Sequence, residues 1–183
     1  MKLARCFRRG AAVLLAAGLS LGSAGAMANV LLTYTFSGNN AVGTGTLVAQ
    51  SNGDGTFTAL SGSGTETING VASTVSLVFN PAGTAPSTSP SGFFSYDDQL
   101  FAFASPVLDG EGLLFTPSAG GEVALYFDPL QGYVFDSMRD QAFLYTTPIT
   151  FTLGRHADVP EPASVALLGI GLVGFLLARR RRP

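Results

Sequence analysis

The sequence predicts an all-β domain, an antiparallel β-sandwich or barrel-like fold of about eight or nine strands, followed by a single C-terminal transmembrane helix. Three observations lead there. Between Asn29 and Asp158, short runs rich in Val, Thr, Phe and Tyr are separated by Gly, Asn, Asp and Pro at turn spacing. That stretch has no helical period of useful length and no solenoid repeat. An uncharged apolar run over 163–178 precedes four consecutive arginines.

The elements follow in order. Residues 30–37 (VLLTYTFS) alternate threonines with apolar and aromatic side chains, the period of a half-buried strand. Runs at 42–49 and 55–60 follow Gly/Asn-rich turns. Asn69-Gly70, between 66–68 and 71–79, predicts a type I′ hairpin, because both turn positions need positive φ. Along 71–79, Val71, Val75, Leu77 and Phe79 line one face with Ser73, against Ala72, Thr74 and Ser76. Residues 80–92 contain Pro81, Pro86 and Pro90 and are expected to form a surface loop. The aromatic-rich 93–104 fits either a strand or a short helix. Runs at 113–116, 122–128, 133–135 and 142–153 complete the set. Glycines 43, 45, 62 and 64 read as members of small-residue strands and turns. A chain of this length can bury a core without disulfides.

Residues 1–28 have the three parts of a secretory signal peptide: Lys2, Arg5, Arg8 and Arg9, an apolar stretch over 11–21, and small residues at Ala26 and Ala28. Cleavage by signal peptidase is expected after Ala28, making Asn29 the mature N-terminus. Cys6 would leave with the leader. The domain expected over 29–157 then has no cysteine, so disulfides, thiolate catalysis and cysteine metal sites drop out.

Charge narrows the function. From Asn29 to Asp158 the bases are Arg139 and Arg155, against eleven acids, a net charge of −9. Nucleic-acid binding is excluded by the lack of a basic surface. A Ser-His-Asp site needs a histidine, and the single one, His156, lies in the stalk. No phosphate loop, dinucleotide fingerprint or G-x-S-x-G occurs, so no catalytic residue and no cofactor-binding residue is assigned. Asp97, Asp98, Asp109 and Glu111 are weak candidates for a calcium site or for glycosidase carboxylates. Ordinary turn chemistry is the preferred reading of them. Phe93, Phe94 and Tyr96 could stack on sugar rings or belong to the core.

The tail, 158–183, carries the most specific pattern. Val159, Pro160, Glu161 and Pro162 precede the apolar run, and Arg179, Arg180, Arg181 and Arg182 follow it. Sixteen apolar residues make a helix about 24 Å long, short for a bilayer but helped by snorkelling arginines. The arginines are expected on the cytoplasmic side. Motif, glycine-containing helix and arginine cluster together resemble a PEP-CTERM sorting signal. The resemblance implies export in a Gram-negative bacterium, an inner-membrane intermediate, and recognition of Pro160, Glu161 and Pro162 by an exosortase. A cell-surface or extracellular end point, biofilm or matrix, and exopolysaccharide as a partner are implied with it. The segments 96–101 and 108–115 are also similar to a stretch of small PEP-CTERM ectodomains, with Asp98 where Asn is more usual. Together these readings give an exported structural or adhesive protein that is not an enzyme. A carbohydrate- or calcium-dependent binding module is the alternative, and a polysaccharide hydrolase follows it.

Overall fold

The computed structural model describes residues 29–155, apart from Phe103 and Gln141. The expected signal peptide, His156, the sorting motif, the membrane helix and the arginine cluster lie outside the described residues. Among those described there is no helix, and hence none long and apolar enough to cross a membrane.

Eleven strands are present: β1 (Asn29–Gly38), β2 (Ala41–Ser51), β3 (Phe57–Ile68), β4 (Val71–Leu77), β5 (Ser87–Thr88), β6 (Ser95–Tyr96), β7 (Gln99–Leu100), β8 (Leu113–Pro117), β9 (Glu122–Asp128), β10 (Gly132–Arg139) and β11 (Ala142–Arg155). The eight long ones pair antiparallel, each with the next in sequence, and β1 pairs with β11. The sheet therefore closes on itself as an up-and-down barrel. The sandwich alternative gives way to the barrel because closure pairs both edges that a sandwich leaves open.

Period-2 alternation builds the wall. In β1, Leu32, Tyr34 and Phe36 are buried, while Thr35 and Ser37 face solvent. Leu47, Val75, Phe115, Leu125, Phe135 and Phe151 join the same interior cluster. Apolar-in with Ser/Thr-out is the inverse of a transmembrane barrel. The glycines of β2 and β3 make room for the aromatics of β1. A Cβ at Gly45 would lie 2.6 Å from Tyr34 Cε1, and one at Gly43 would overlap the Phe36 ring. Two bulges bend the wall, one skipping Leu60 opposite β2 and one skipping Leu144 opposite β10.

The hairpin prediction holds: Asn69 and Gly70 have φ of 51° and 82°, and Ile68 pairs with Val71. Other expectations need correction. Residues 57–60 of the 55–60 segment and the 66–68 segment belong to one strand, β3. The 133–135 run extends through Asp136 to Arg139, because Asp136 accepts a 2.8 Å hydrogen bond from Tyr126 Oη on the outer wall. The 93–104 segment is neither a helix nor a long strand and contributes only β6 and β7. Val71 and Phe79 are exposed, so the apolar face of β4 is confined to Val75 and Leu77.

Residues 78–112, between β4 and β8, do two jobs. Phe94 and Tyr96 pack on the outer face of the wall against Leu114, Ala124 and Met138. Leu100 and Leu108, 0% and 1% exposed, join the interior cluster. There Val107 N–H donates to Tyr133 Oη and β7 pairs with the start of β3. This segment plugs the barrel end where Arg155 leaves.

Candidate functional site

The excursion holds the four acids singled out from sequence and engages the carboxylates of three of them, Asp97, Asp98 and Asp109, on nearby backbone N–H groups. Asp97 Oδ1 accepts the Gln99 N–H at 2.9 Å. Asp109 Oδ1 accepts the N–H groups of Glu111 and Gly112 at 3.2 and 3.0 Å. Asp98, fully buried with φ +58°, accepts the Asn80 N–H at 2.7 Å through Oδ2, while Oδ1 is unpartnered. Burial pushes the Asp98 carboxyl up to about 7, against the Asn80 hydrogen bond, with Asp97 adding repulsion. Burial likewise raises Asp97 to about 6, with Asp109 and Glu111 adding to it. These acids behave as turn and bracing groups. Among the described residues no three or more His, Cys, Asp or Glu side chains are grouped to hold a metal ion.

Sequence reasoning missed the braces of the loop. Asn80, fully buried, donates from Nδ2 to the carbonyls of Gly83 and Ala85 at 2.9 and 2.8 Å and accepts from Ala82 N–H and Ser87 Oγ. Glu122, on the outer wall, receives the Ser91 N–H at 2.9 Å and its hydroxyl. The aromatic candidates divide. Phe94 and Tyr96 are core, whereas Phe93 is 51% exposed and meets the 55% exposed Phe143 edge-to-face at 5.9 Å.

A second feature lies at the opposite end, ringed by the turns at 39–40, 69–70 and 118–121 and by Asp140 at the end of β10. A cavity of ≈ 390 Å³ opens there, with Glu66, Ile68, Val71, Ser137, Arg139 and Leu144 in its lining. Glu66 is 3% exposed, and its Oε2 has no hydrogen-bond partner. Burial pushes its carboxyl up to about 7. The hydroxyl of Tyr34, also buried and unpartnered, is raised by burial and by Glu66. The available signal was parity: Glu66 shares the inward face of β3 with Gly62, Gly64 and Ile68, where a charge is out of place.

The chain continues from Arg155, at the plugged end, into the tail three residues later. Residues 158–182 match the family model of the PEP-CTERM protein-sorting motif. The chain carries a PEP-CTERM sorting motif. That motif contains Pro160, Glu161, Pro162 and the arginine cluster, and it implies export, processing by an exosortase and cell-surface sorting. No curated protein and no solved structure matches the chain.

Proposed function

We propose that this protein is an exosortase substrate whose barrel is displayed at, or released from, the cell surface as a non-enzymatic structural or adhesive component of an extracellular matrix. The observation that carries the reading is the sorting motif at 158–182, joined to the last barrel strand by a short stalk. Signal peptide cleavage after Ala28 delivers the barrel across the inner membrane. The apolar run at 163–178 then holds the intermediate there until cleavage near Pro160–Pro162. The prolines suit that step, since each lacks an N–H and favours an extended chain. The domain itself supports a passive role. Its interior cluster is built of aromatic and aliphatic side chains, and Asp97, Asp98 and Asp109 each accept hydrogen bonds from backbone N–H groups. A glycan-binding variant of this reading is favoured by the exposed Phe93–Phe143 pair, which offers faces for a sugar ring. The test is localisation in an exosortase-bearing host. Wild-type protein should reach the extracellular or matrix fraction, and a Pro160→Ala/Glu161→Ala/Pro162→Ala variant should stay in the inner membrane. Equal distribution of the two would refute the reading.

A further inference from the structure

The residues lining the cavity at the barrel mouth lie outside the sorting motif. The excursion closes one end of the barrel with Leu100 and Leu108, but among the described residues nothing comparable covers the end framed by the four hairpin turns. Glu66 lines it and is 3% exposed; its buried Oε2 and the buried Tyr34 hydroxyl have no hydrogen-bond partner. A buried carboxyl that makes no internal hydrogen bond weakens a fold unless a partner supplies donors. The walls are mixed: Ile68, Val71 and Leu144 are apolar, and Arg139 is the charge on the rim. Leu144 is the residue skipped by the β10–β11 bulge, a device that re-aims side chains at barrel rims. The ≈ 390 Å³ volume falls in the range of small-molecule sites.

We propose that the barrel mouth binds a small organic cation, an ammonium group on an apolar body, with the ammonium on Glu66 and the body against Ile68, Val71 and Leu144. An ionised carboxylate only accepts, so it selects N–H donors, and positive charge strengthens each bond. Arg139 repels a cation at the rim and so favours the orientation with the ammonium on Glu66. The groups facing Glu66 can be enumerated. From β1 comes Tyr34, and β2 and β4 place Gly43 and Ser73 opposite it. Tyr145 of β11 and Arg139 of β10 also line the cavity. Glu66 is thus the acid among the described residues of the lining, and binding should strengthen as pH rises through about 7, where it ionises.

The test uses the full chain in lipid nanodiscs with the Ile68 δ1-methyl as NMR reporter. The probes are 2-phenylethylammonium, 2-phenylethanol and phenylacetate. The ammonium should shift Ile68 saturably and bind about tenfold or more tighter than the alcohol, roughly one charge-assisted hydrogen bond, and phenylacetate should bind weakest. Its affinity should rise from pH 5.5 to pH 8, and Glu66→Gln should reduce it to the level of the alcohol. Should that variant fail to fold, the wild-type ranking and pH trend decide alone. Equal binding of ammonium and alcohol, tighter binding of phenylacetate, or no shift at millimolar probe overturns the proposal. The last result would leave a cavity holding water only.

Discussion

At the scale of single residues, the barrel rests on complementarity between large and absent side chains. Tyr34 and Phe36 occupy the space over Gly43, Gly45 and Gly64. Gly45→Ala should therefore cost about 1–3 kcal/mol, as overpacking does, while Ser63→Ala on the outer face should stay within about 0.5 kcal/mol. Chemical denaturation of the two variants checks this. The buried acids predict a pH dependence. Glu66 and Asp98 have folded-state pKa values raised to about 7, and Asp97 to about 6. Between about pH 4, where the unfolded chain releases these protons, and about pH 7, the folded state holds protons that the unfolded state has lost. Their contribution to stability is present at low pH and is lost as pH rises through that window. The melting temperature should be lower at pH 8 than at pH 5, and Glu66→Gln with Asp98→Asn should flatten the difference. A profile unchanged by both substitutions would contradict the assignment.

At the scale of elements, the 78–112 excursion is held by buried polar braces and by two plugging leucines. Asn80→Ala leaves several of the loop's polar groups without partners. It should cost about 2–3 kcal/mol and expose 80–92 to proteolysis before the barrel strands yield. Hydrogen exchange along the loop would register this, and unchanged protection would count against the bracing role. The long strands were legible because alternation and turn residues report directly on them: the 30–37 run lies within β1, and the Asn69-Gly70 hairpin and 122–128 stand where the sequence places them. Closure was not legible, since β1 and β11 lie at opposite ends of the described chain and no local signal joins them. Nor was the second covered face. Leu114, Ala124 and Met138 are buried on the outside because a distant loop lies on them, so β8–β10 lose the alternation that marks β1. What the candidate acids do depends on backbone N–H groups that a sequence does not display. Glu66 was passed over as one polar residue among Ser and Thr.

At the scale of the whole molecule, one end of the barrel is plugged and continues into a PEP-CTERM sorting motif, and the other end is an open cavity. Targeting was readable because prolines, an apolar run and arginines act through composition and order, without a fold. The role of the barrel was not, because a packed β-barrel with polar outer walls serves many ends. The central claim is that this chain is cut at both ends on its way to the surface. Intact mass of the protein from its native host, with cell-associated and released fractions analysed separately, tests it most directly. The account predicts a chain that starts at Asn29 and ends near Pro160–Pro162. A chain that still carries residues 163–183 and stays in the inner membrane would contradict it.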